Sequence, residues 1–85
     1  MGMTRYYLHF YNRIGLARDE EGRELPNLDA AREAAIEAIR DVMSEEARTG
    51  RIDLRGYIEI VDDTQEVRCR VPFSSAIDLH LDEPR

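Results

Sequence analysis

Residues 4–12, TRYYLHFYN, place Tyr6, Leu8 and Phe10 on one side of an extended chain and Tyr7, His9 and Tyr11 on the other. That period of two is the pattern of a half-buried strand, and the more apolar first set is expected to face a core. Residues 56–62, GYIEIVD, repeat it, with Ile58 and Ile60 opposed by Tyr57, Glu59 and Val61. Residues 67–73, VRCRVPF, alternate again, Val67, Cys69 and Val71 inward and Arg68 and Arg70 outward. Between these stretches the period lengthens. Leu28, Ala31, Ala35, Ile39, Val42 and Met43 recur at helical spacing and form one apolar stripe. Glu33 and Glu37 with Arg40, and Asp41 and Glu45 with Arg48, fall largely off it at the spacing of surface ion pairs.

Local signals bound these elements. NRIG at 12–15 supplies the Asn and Gly of a turn, and GLAR at 15–18 reads as a short return strand followed by the charged turn DEEG. Pro26 bars an earlier helix start, Asn27 is a good N-cap, and Asp29 puts a negative charge in the first turn. Gly50 suits the position just past the helix C-terminus. DDTQE makes the last turn, and Pro72 ends the last strand or sets it at a sheet edge. The tail, residues 74–85, is compatible with a short helix, an extended arm or partial disorder.

The predicted order is strand, strand, helix, strand, strand. It predicts an α+β fold: a four-stranded antiparallel sheet, ββαββ in spatial order 2-1-3-4, with one helix packed on one face. Eighty-five residues fill one core, so residues 1–85 form a single domain with a compact part over about 4–73. A single helix leaves the other sheet face open. Alternation assigns Tyr7, His9, Tyr11, Tyr57, Glu59, Val61, Arg68 and Arg70 to it. Aromatics with Arg are the composition of an interface core, although cross-strand aromatic and charge pairs also stabilise solvated sheets.

Charge and composition narrow the function classes. The net charge is −6, and all twelve basic residues are Arg. An acidic chain is poorly suited to gripping phosphate backbones, which argues against nucleic acid as a partner. Cys69 is the single cysteine, so no internal disulfide forms and a reducing cytoplasm is expected. No apolar run reaches the roughly 20 residues of a membrane span, and the N-terminal MGMTR lacks the regions of a secretory signal.

Candidate chemistry is sparse. His9 could serve as a base if Glu59 on the neighbouring strand oriented it, but no nucleophile or oxyanion donor accompanies it. Asp78, His80 and Asp82 alternate and would share one side of an extended tail as hard-metal ligands, although acidic tails with a chance histidine are commoner. Cys69 between inward valines reads as a small core hydrophobe, and RDEEG lacks the alternate-position spacing of a calcium loop. No catalytic, cofactor or metal residue is assigned.

RYYLHF near the start, DEEGRELPNLDAAREAA leading into the helix, and GYIEIVDDTQEVRCRVPF at the last hairpin together resemble short uncharacterised bacterial proteins, the domain of unknown function 6894 family. The acidic turn with Gly, then Glu-Leu-Pro and an Ala-rich helix start, is the most specific of the three. The chain departs from the family at NRIG, where an Asp-Gly pair is frequent. The resemblance implies a compact domain in bacterial cytoplasm and no particular activity or site residue. The chain is also similar in its fold elements to the antitoxin partner of small bacterial toxin–antitoxin pairs.

The expectation is thus a small non-enzymatic binding or oligomerisation module without cofactor, pairing with itself as a homodimer or with another protein. Its candidate interface is Tyr7, His9, Tyr11, Tyr57, Glu59, Arg68 and Arg70. The alternatives are a single-stranded nucleic-acid binder, an antitoxin-like regulator, and a small enzyme or metal site.

Overall fold

The computed structural model describes residues 2–77. Its elements in chain order are β1 (Thr4–Asn12), β2 (Leu16–Ala17), β3 (Arg23–Leu25), α1 (Leu28–Arg48), β4 (Gly56–Val61) and β5 (Val67–Pro72), then a 3-10 turn over Phe73–Ala76. All pairings are antiparallel, and the sheet runs β2-β1-β4-β5, with β3 also against β1. One helix on one face of this sheet is the α+β fold the alternation predicts. The expected four strands become five. Residues 23–25, predicted as the approach to the helix, pair with Thr4, Arg5 and Tyr6, while β2 pairs with Phe10 and Tyr11. One edge of β1 therefore holds two short strands separated by the excursion 18–22.

The predicted helix forms as its caps dictate. The Asn27 side chain accepts the Ala30 N–H at 2.8 Å, and Thr49 closes the other end before Gly50. Ala31, Ala35, Ile39 and Met43 bury against Tyr6, Ile58, Ile60, Val71 and Phe73, with Leu8 and Phe10 packed at the margin. The small side chains at 31, 34 and 35 let the helix sit close on the β-branched residues of β4 and β5. Arg40 turns to the Ala76 carbonyl at 2.9 Å, and among the described residues neither it nor Arg48 joins the ion pairs expected along the helix. This contact fastens the 3-10 turn, in which Phe73 and Ala76 are buried.

The first turn uses the Asn12 side chain in place of an Asp-Gly pair. Asn12 and Gly15 exchange backbone hydrogen bonds around Arg13 and Ile14, and Asn12 Oδ1 accepts the N–H groups of Ile14 and Gly15 at 2.8 and 3.0 Å. An Asx-type cap thus closes a tight hairpin without an Asp-Gly pair.

Candidate functional site

Directly opposed residues of an antiparallel sheet project from the same face, so the register orders the helix-free side into three rows. Leu16, Tyr11, Tyr57 and Pro72 lie across β2, β1, β4 and β5 in one row. His9, Glu59 and Arg70 form the middle row, and Tyr7, Val61 and Val67 the third. A polar strip therefore runs between an aromatic strip and an apolar one.

Glu59 organises the middle row. Its Oε1 accepts the Tyr11 hydroxyl at 3.2 Å and its Oε2 accepts Arg70 Nε at 3.0 Å. The same guanidinium lies 5.6 Å from the centroid of the Tyr57 ring, which stacks on Tyr11 at 4.9 Å and 14°. The carboxylate is 8% exposed yet fully engaged, so a buried charge is tolerated because partners meet it on both oxygens. Burial first, and then the hydrogen bond to Glu59, hold the Tyr11 hydroxyl above its ordinary pKa.

His9 does not meet Glu59 as a catalytic pair. Its Nδ1 accepts the backbone N–H of Asp19 at 3.0 Å. Only a lone pair can receive that donor, so in the neutral ring the proton sits on Nε2. Asp19 in turn accepts Leu8 N–H through Oδ2 at 3.1 Å and Gly22 N–H through Oδ1 at 3.0 Å. Its carboxylate replaces the ladder partner that β1 loses where β2 and β3 separate. Arg5 donates to the Glu21 carbonyl at 2.6 Å and to Glu24 at 3.1 Å, which holds the far end of the excursion. The loop 18–22 thus folds against the edge of the face predicted to be open, and His9 is only 7% exposed.

Arg68 and Val67 depart from the alternation. The β4–β5 register shifts between Ile60 and Val61, so Val67 opposes Val61 and stands 47% exposed instead of inward. Arg68, at this bulge, donates to Asp62 Oδ2 at 3.2 Å. Asp62 Oδ1 also accepts the Thr64 hydroxyl at 2.6 Å and the N–H groups of Thr64 and Glu66 at 2.9 and 3.0 Å. Led by the Thr64 hydroxyl, these donors hold its pKa at about 2. Arg68 therefore clamps a turn, while the other six candidate residues gather on the sheet face. Cys69 packs beside the core, as its inward position predicts, and its Sγ accepts Arg32 Nη1 at 2.8 Å.

A second polar cluster lies next to the Asn12–Gly56 end of the β1–β4 ladder. Asp53 receives Arg13 and Arg55, both at 2.9 Å, and the bonds from Arg55 chiefly push its carboxyl well below the usual range. These groups rim a cavity of about 230 Å³ floored by Phe10, Val42 and Phe73. Among the described residues no group of three or more His, Cys, Asp or Glu side chains could hold a metal ion, and no helix is long and apolar enough to cross a membrane. Asp78, His80 and Asp82 lie outside the described residues. The alternation missed Asp19, whose only sequence signal is an acid three residues before a glycine in a turn.

Fold and site together define an α+β domain with one helix-covered sheet face and one aromatic, partly loop-covered face. The chain belongs to the family described as Domain of unknown function (DUF6894), whose model matches residues 5–74. No curated protein and no solved structure matches it.

Proposed function

We propose that this protein is a non-enzymatic binding module that associates with a second copy of itself through the helix-free sheet face. The row Leu16, Tyr11, Tyr57 and Pro72 carries the reading: an apolar and aromatic strip crosses all four strands of the sheet path. Its members are pre-organised, because Tyr11 and Tyr57 are already stacked and Arg70 is already held over Tyr57. Rigid aromatics and Arg lose little conformational entropy on docking.

The edges offer no competing route. β5 carries Arg68, Arg70, Pro72 and a bulge, and the opposite edge is broken by residues 18–22. These are the devices that block strand addition, which leaves the face as the surface for association. Non-enzymatic action fits the commitments inside the face, where His9 Nδ1 is bound to Asp19, and Glu59 to Tyr11 and Arg70. A cytoplasmic setting belongs to the same reading and is supported by the lone Cys69.

Sedimentation equilibrium at high micromolar concentration tests it. The expected result is a dimer that Leu16→Glu with Tyr57→Glu converts to a folded monomer, with unchanged circular dichroism. A monomeric wild type overturns the reading, and a dimer unaffected by the double substitution places the interface elsewhere. Retention of a single-stranded oligonucleotide at low salt would favour base stacking on Tyr11 and Tyr57 instead.

A further inference from the structure

A cavity of about 240 Å³ opens beside His9, lined by Tyr7, Arg18, Asp19, Glu20, Val61 and Gln65. We propose that it binds a small zwitterion with the charge pattern of a free α-amino acid. His9 supplies the first observation. The side chain is more than nine-tenths buried, and its Nδ1 is committed to Asp19. Its Nε2–H has no partner among the described residues. His9 is one of the residues lining the cavity, and in the proposed site this Nε2–H is the hydrogen-bond donor it offers a ligand. With the proton on Nε2, it is unsuited to ligate a metal or accept a proton there, so the ligand must present an acceptor.

The remaining groups set the charge. Asp19 has both oxygens occupied by backbone N–H groups, whereas Arg18 and Glu20 have no partner among the described residues. One uncommitted cation, one uncommitted anion and a neutral donor match a ligand carrying both a carboxylate and an ammonium. The carboxylate takes His9 Nε2–H and the Arg18 fork, and the ammonium takes Glu20. Tyr7 and Val61 form the wall for a side chain. The volume corresponds to about eight waters, the scale of a medium-sized amino acid.

Gln65 is the second observation. It is the one non-glycine described residue with positive φ, 70°, at a turn position where glycine would be unstrained. Gln65 lines the cavity, which gives a reason for a side chain at that place.

The site shares the helix-free face with the proposed dimer strip and lies toward the other end of it. Tyr7 and Val61 lie four residues along their strands from Tyr11 and Tyr57, about 13 Å. The test uses the full chain and a panel of the free α-amino acids, one at a time, followed by the His9 Nε2 resonance and by calorimetry. At least one member is expected to shift that resonance and bind with Kd of about 1 mM or tighter. Its N-acetyl and carboxamide derivatives, and Arg18→Ala or Glu20→Ala with the parent compound, should each weaken binding by about tenfold or more. Gln65→Gly should weaken binding while raising the unfolding midpoint. No response to any amino acid at about 20 mM overturns the proposal. Equal binding of the blocked derivatives also overturns it, because the ligand would then not be recognised as a zwitterion. Repeating the titration on the Leu16→Glu, Tyr57→Glu variant keeps the two readings distinct, because no response there overturns this proposal whatever the oligomeric state of the wild type.

Discussion

The backbone N–H of Asp19 donates to His9 Nδ1 while the Asp19 carboxylate accepts the N–H of Leu8, the residue before that histidine. Loop and strand are therefore joined in both directions, and a histidine assigned by parity to an open face becomes buried.

Asp19→Ala removes the acceptor for both Leu8 and Gly22 N–H. Leaving two part-buried donors unsatisfied should cost about 2–4 kcal/mol in urea unfolding. Asp19→Asn, with a single carbonyl oxygen, should recover only part of that loss. A destabilisation below about 0.5 kcal/mol for the alanine variant would show that water replaces the carboxylate without penalty.

Two glycines separate strain from collision. Gly50 has φ 83° with open space around it, whereas Gly56 has φ 130° and a Cβ there would meet the Tyr11 carbonyl and lie 2.7 Å from Phe73 Cε2. Gly50→Ala should cost about 1 kcal/mol from conformation alone. Gly56→Ala should cost about 3 kcal/mol or more, because strand β4 or the Phe73 turn must move. Equal losses on thermal unfolding would contradict this packing of Phe73.

Asp62 sets an acid limit. Its folded pKa, about 2, lies below the ordinary 3.8, so the native state binds fewer protons than the unfolded chain as pH falls. Its contribution is complete above the unfolded value and is lost as pH drops through about 4 to 2. Asp62→Asn should destabilise the protein at pH 7 and narrow its difference from wild type below pH 3, as read by urea midpoints at each pH. A constant difference across that range would remove Asp62 from the acid transition.

Tyr11 gives the alkaline counterpart. Its folded pKa is raised by burial and by its bond to Glu59, so the stability it contributes is present below pH 10 and is lost as pH rises through the folded value. Absorbance titration of wild type against Tyr11→Phe isolates this phenol. Glu59→Gln should bring its titration closer to that of the exposed model compound, and no movement would mean that the carboxylate has no part in the shift.

Periodicity and caps were enough to place the strands at 4–12, 56–61 and 67–72 and the helix at 28–48, because each is decided by local alternation, Asn27 and Gly50. The same patterns determined that Tyr6, Leu8, Ile58 and Ile60 share the helix side, and that Tyr7, His9, Tyr11, Tyr57 and Glu59 share the other. Tertiary structure decided the rest. A two-residue count cannot reveal a bulge, so Val67 and Arg68 were placed by the β4–β5 ladder. No local signal states that a charged turn will lend its carboxylate to a strand, so the burial of His9 and the cavity beside it follow only from β2 and β3 meeting β1 at separate places. Alternation is a property of neighbouring residues, whereas burial and hydrogen-bond commitment belong to pairs far apart in the chain.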